Sequence, residues 1–122
     1  MNIGHHRWAI AEGYLPEGST GEGPELASHE TLCVLNTGER DAELAITVYF
    51  SDREPVGPYR ALVPARRTHH LRFNDLRNPE PIPVGVDFAS LIEASEPIVV
   101  QHTRLDSRQA ALGIMTTLAF PC

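Results

Sequence analysis

Between Glu43 and Phe50 the chain reads ELAITVYF, with Leu44, Ile46, Val48 and Phe50 at alternate positions. A period of two is the repeat of an extended backbone, whose side chains point to opposite faces in turn. The segment is a half-buried strand, and Glu43, Ala45, Thr47 and Tyr49 form its second face. Apolar or β-branched runs repeat the signal at residues 7–11, 31–35, 59–63, 68–73, 88–94, 98–103 and 112–119. Only Phe88, Leu91 and Ile92 also fit a helical stripe.

The separators carry turn chemistry: Asn36-Thr37-Gly38, Pro55-Val56-Gly57-Pro58, Val63-Pro64-Ala65 and Ser95-Glu96-Pro97. They are too short for crossover helices, so neighbouring strands pair antiparallel. Two longer breaks remain. Residues 13–28 are rich in glycine and glutamate, and residues 78–85 contain Pro79, Pro81 and Pro83, which favour an extended path. The expectation is an all-β antiparallel sandwich of about eight short strands, jelly-roll-like, forming a single domain over residues 1–122.

A chain of this length buries roughly two-thirds of its unfolded surface. Its net charge of −6 argues against a uniformly basic nucleic-acid binder. All ten basic residues are arginine, a bias that base composition explains as readily as a need for planar donors. Cys33 lies inside an apolar run and Cys122 is the last residue, a pair read as two reduced thiols. No basic segment followed by an apolar stretch opens the chain, and no run approaches the ~20 apolar residues of a membrane span. These features predict a cytoplasmic protein.

Two strands carry unusual polarity. In PIVVQHTRLDSRQ, residues 97–109, an apolar strand passes into polar residues without a break, and His102, Arg104 and Asp106 share one face. Arg104 and Asp106 then either neutralise each other on a solvated edge strand or, with His102 and Arg108, form a recognition surface. In PARRTHHLRFNDL, residues 64–76, Leu71 and Phe73 point inward with His69 at the core edge. His70 and Arg72 face out, beside Arg66 and Arg67. The candidate partner- or ligand-binding residues are therefore Arg66, Arg67, His70, Arg72, His102, Arg104, Asp106 and Arg108.

Six histidines invite a metal reading, but His69 and His70 are adjacent and face opposite sides, as are His5 and His6. Ser28-His29-Glu30 holds the residue types of a hydrolytic triad, yet neighbours on a strand diverge and no nucleophile elbow is present. Gly18, Gly21 and Gly23 lie among acids that repel phosphate. The expectation is a non-enzymatic protein with no catalytic residues, no metal and no cofactor.

The strings WAIAEGY at residues 8–14, SHET at 28–31, YFSDREPVGPYR at 49–60, VPARRT at 63–68, RFNDL at 72–76 and the segment 97–109 occur in that order. Together they resemble the sensory rhodopsin transducer family, collinearly from Trp8 to about Gln109. The first seven residues and the tail after Gln109 match poorly. The resemblance implies a cytoplasmic β-sandwich that assembles as a homotetramer and relays the state of a membrane sensory rhodopsin through protein contacts. Related sandwiches bind carbohydrate, and the family has been linked to DNA. A small polar or anionic ligand, or DNA on the arginine-rich face, is thus the alternative partner. Receptor loops rich in lysine and arginine would suit an acidic docking loop around Glu17, Glu22 and Glu25.

Overall fold

The computed structural model describes residues 3–18, 27–108 and 113–122. Its strands are β1 (His5–Ile10), β2 (His29–Asn36), β3 (Ala42–Phe50), β4 (Val56–Val63), β5 (Arg67–Arg72), β6 (Phe88–Asp106), β7 (Gly113–Leu118) and β8 (Phe120–Pro121). One sheet, here sheet I, runs β4-β3-β6-β1-β8, and a second, sheet II, runs β5-β2-β6-β7. All pairings are antiparallel. The all-β antiparallel sandwich of eight strands is the expected fold.

Strand β6 belongs to both sheets. Its first half, from Phe88 to Ala94, lies between β3 and β1, and its second half, from Val99 to Asp106, lies beside β2 and β7. The turn expected at Ser95-Glu96-Pro97 does not form; these residues are where the strand leaves one sheet and enters the other. Pairing with β3 ends at Ala94 and pairing with β2 ends at Val99. Pro97, which has no N–H to give a ladder, therefore sits where neither β2 nor β3 requires one. Opposite it, β1 shifts register between His5 and Arg7. The Trp8 indole bridges the crossing, donating to the carbonyls of Ile98 at 2.9 Å and His5 at 3.1 Å. Gly4 must be glycine here: its φ is +106° and a Cβ would collide with the Ile98 carbonyl.

The helical stripe at Phe88, Leu91 and Ile92 is overridden. Phe88, Ser90 and Ile92 are buried at alternate positions, as a strand requires, because β1 and β3 supply hydrogen bonds on both sides. In β3 the expected alternation holds, with Leu44, Ile46 and Val48 buried. These side chains join Trp8 and Ile10 of β1, Leu32 and Val34 of β2, and Ile98 and Val100 of β6 in one apolar core. Tyr59 completes it from β4, its hydroxyl donating to the Glu80 carbonyl at 2.7 Å. Burial, then the Glu80 charge, holds that phenol above the ordinary tyrosine value. Phe73 ends β5 in a short 3-10 turn, Phe73–Asp75, which drops its ring into the core. Leu112, the expected start of β7, lies outside the described residues.

Ile92 is wholly buried where β6 is paired on both flanks. Ile92→Ala should cost about 2–5 kcal/mol, read as a lower urea midpoint with an unchanged slope.

Candidate functional site

Polar groups converge on the inner face of sheet II, around one buried carboxylate. Residues 30, 32, 34 and 36 of β2 point inward, and the first of them is Glu30, whose side chain is fully buried. Register pairs Glu30 with Arg104 and Leu32 with His102, so both β6 side chains lie on the same inner side. His102 Nε2 donates to Glu30 Oε2. Arg104 Nε donates to Glu30 Oε1 at 2.6 Å, and its terminal NH2 donates to Glu12 Oε1 at 2.7 Å. The Tyr14 amide reaches Glu30 Oε1 at 3.0 Å. The Glu30 amide donates to Asn74 Oδ1 at 3.2 Å, and Asn74 Nδ2 donates to the Ser28 carbonyl at 3.0 Å. The Glu30 carboxylate thus ties the segment after β1 to strands β2 and β6, and the Glu30 amide ties in the turn after β5.

The energetics follow from burial. A buried carboxylate is tolerable only when its lone pairs are satisfied and its charge is matched. Burial works against the Arg104 charge, but the bonds to Glu12 and Glu30 outweigh it, so its pKa sits above the ordinary arginine value. The expected Arg104–Asp106 pair does not form. Asp106 is held by Arg108 instead, at 2.6 Å, with Arg108 also lying over the Tyr14 ring at 5.7 Å. Nor is the strand an edge strand, since β2 and β7 flank its polar end.

The eight candidates fall into two groups. His102 and Arg104 enter the Glu30 cluster, His102 at 1% exposure and with no partner for Nδ1, while Asp106 and Arg108 pair with each other at its rim. Arg66, Arg67, His70 and Arg72 lie apart, on β5 and the turn before it. Arg66, Arg67 and His70 are exposed and Arg72 is half-buried, with His69 half-buried as expected. Glu30, Glu12, Tyr14 and Asn74 were not singled out as partners of this cluster. The Ser28-His29-Glu30 string marks the place, but its members diverge. Ser28 Oγ lies 3.1 Å from Ser107 Oγ, His29 Nδ1 donates to the Ala27 carbonyl at 2.7 Å, and Glu30 turns inward. No relay from carboxylate through imidazole to hydroxyl connects them.

Among the described residues no three His, Cys, Asp or Glu side chains converge as metal ligands, and no helix is long and apolar enough to cross a membrane. Cys33 and Cys122 are free thiols. A depression of about 340 Å³ opens between the β2–β3 turn and Glu96–Pro97, bordered by the Arg40–Glu96 ion pair at 3.3 Å. None of the eight candidates lines it. Of the acidic docking residues, Glu17 is exposed, and Glu22 and Glu25 lie outside the described residues.

The family profile described as Anabaena sensory rhodopsin transducer matches residues 3–121, continuing past Gln109 where the recognisable strings stop. Among solved structures, one described as "Anabaena sensory rhodopsin transducer" is 63% identical and covers 90% of this chain and 96% of its own, with a TM-score of 0.79. Another, "Crystal Structure of Thermotoga maritima 1070", is 33% identical and covers 98% of this chain and 96% of its own, with a TM-score of 0.87. No curated protein sequence matches.

Glu30→Ala should cost about 3–5 kcal/mol, because it leaves buried His102 and half-buried Arg104 without their shared acceptor. Glu12→Ala, whose carboxylate is 63% exposed, should cost less than about 1 kcal/mol. Urea denaturation of the two variants separates these outcomes. The Arg108 hydrogen bonds hold the Asp106 carboxyl below its ordinary 3.8. The stability this pair adds is complete above 3.8 and is lost as pH falls through the lower folded-state value. Asp106→Asn should therefore be less stable than the parent at neutral pH and converge with it as pH falls through that lower folded-state value, as urea midpoints measured from neutral to acid pH will show.

Proposed function

Because the chain belongs to the Anabaena sensory rhodopsin transducer family, we propose that it is a non-enzymatic cytoplasmic relay that reads the state of a membrane sensory rhodopsin through protein contacts. The observation that carries this reading is the 63% identity to a solved structure so described, spread over 90% of the chain. The physical design supports it. Two sheets joined through one strand form a stiff body, suited to passing on a docking event without chemistry of its own.

Assembly as a homotetramer belongs to the same proposal. Symmetry would present one receptor-facing surface in several copies and raise the strength of a weak contact. The receptor's cytoplasmic loops are enriched in lysine and arginine, and the chain meets them with a net charge of −6.

The receptor from the source organism, reconstituted with retinal in nanodiscs, should bind the intact protein in the dark with an affinity that illumination changes. Binding should weaken by about tenfold or more on raising salt from 50 to about 300 mM. Absence of binding at low salt, in light and in dark, would overturn the relay. Binding that strengthens with salt would overturn its electrostatic basis.

A further inference from the structure

We infer that residues 11–17 form a latch, which opens as one unit while both sheets stay folded, and that the second hydrogen bond of Arg104 governs the opening. The segment follows β1 without joining a ladder, and Tyr14 makes an isolated bridge to Asp87. The Gly13 carbonyl accepts from the Phe88 amide at 2.9 Å and the Leu15 carbonyl from the Gly85 amide at 2.8 Å. The Tyr14 amide reaches Glu30, Glu12 holds Arg104, and Leu15 and Pro16 are buried. Both ends are anchored apart from these contacts. Ile10 lies buried in β1 opposite Ser90, and the Gly18 carbonyl accepts from Ser28 Oγ at 3.3 Å. Release therefore frees a short loop whose ends stay in place, at a modest loss of contacts.

The deciding point is how the charges are divided. Arg104 serves two carboxylates with separate donors, Nε to Glu30 and the terminal NH2 to Glu12. When the segment leaves, it takes Glu12 and the Tyr14 amide with it. The Nε bond and the His102 bond stay, because β2 and β6 remain paired. Glu30 thus keeps its guanidinium and its imidazole and loses one neutral donor, which water replaces. No buried charge is stranded, so opening escapes the penalty of breaking a buried pair. Glu12, 63% exposed, regains its hydration, and an exposed pair of this kind is weak. Water entering this end also offers His102 Nδ1, buried without a partner in the closed form, its first hydrogen bond.

The chain that faces the segment is held more firmly. Leu76 and Ile82 are buried, the Tyr59 hydroxyl donates to the Glu80 carbonyl, and Phe88 is already paired with Phe50 of β3. When the contacts at Gly85 and Phe88 part, residues 11–17 are therefore the side that moves. Opening carries exposed Glu12 and Glu17 together and uncovers the Glu30 carboxylate, so it changes the charge presented at this end of the sandwich. A lysine or arginine side chain that captures Glu12 competes with Arg104 and favours the open form.

The latch needs no receptor to exist, so this inference and the relay reading stand or fail separately. The test is native-state hydrogen exchange of the intact, isotopically labelled protein in low concentrations of urea. The amides of Tyr14, Gly85 and Phe88 should show one common protection with a small urea dependence, exchanging at least about a hundredfold faster than Ile92 at the centre of sheet I. Glu12→Arg places like charge against Arg104 at an exposed position. It should speed these three amides by about tenfold and leave Ile92 unchanged. Should that variant disturb the fold, the parent protein supplies the control, since raising salt from about 50 to about 500 mM should speed the same three amides by about threefold. Exchange of the three at the rate and urea dependence of Ile92 would show that the segment unfolds only with the whole molecule and would overturn the proposal. Three amides that respond separately to Glu12→Arg would also overturn it, as fraying rather than a latch. Rates unchanged both in Glu12→Arg and in high salt would overturn the role given to Arg104.

Discussion

The fold depends on one strand serving two sheets. β6 runs 19 residues without a turn, and its two halves pair with different neighbours. Each sheet alone has an inner apolar face that must be covered, and covering it requires the sheets to stay in fixed relation. A loop between them would leave that relation to side-chain packing. A continuous backbone sets it covalently, and the Trp8 indole, bonded to the Ile98 carbonyl, braces the crossing from β1. Displacing the crossing by one residue would turn every side chain downstream to the opposite face and expose Ile98 and Val100.

The Glu30 cluster lies at the far end of the same strand, beyond Val100, where the apolar core gives way. Here the inner face of sheet II must be closed by something other than aliphatic side chains, since Arg104 and Asp106 follow on β6 and Glu12 and Tyr14 on the segment after β1. An apolar plug would seal this end without ordering those segments. A carboxylate with His102, Arg104 and the Tyr14 amide around it fixes three pieces of chain relative to one another. Its favourable Coulomb energy is largely spent against desolvation. What remains is geometric definition.

Much of the architecture was legible because local period reports burial on one face. Leu44, Ile46 and Val48 gave their strand without reference to anything else in the chain. The crossing in β6 was not legible, because Ser95-Glu96-Pro97 carries the same residues whether a chain turns or changes sheets; only the absence of a ladder at Pro97 tells them apart. The site was half legible. Spacing placed His102 and Arg104 on one face correctly, but charge partners were drawn from near neighbours, giving Arg104 to Asp106. The true acceptor is Glu30, separated from His102 and Arg104 by 72 and 74 residues. No local pattern encodes a pair that the antiparallel register of β2 and β6 creates. The Ser28-His29-Glu30 string drew attention for its chemistry, and strand alternation alone already implied that Glu30 and His29 part company.

Charge is distributed unevenly over the two sheets. Acids lie in loops, on the outer face of sheet I and, at Glu30 and Asp106, on the inner side of sheet II, while the outward positions of sheet II carry none among the described residues. β6 passes through both sheets behind these surfaces. A shift in how sheet I is held is therefore met first by the strand that also carries β2, to which β5 is paired.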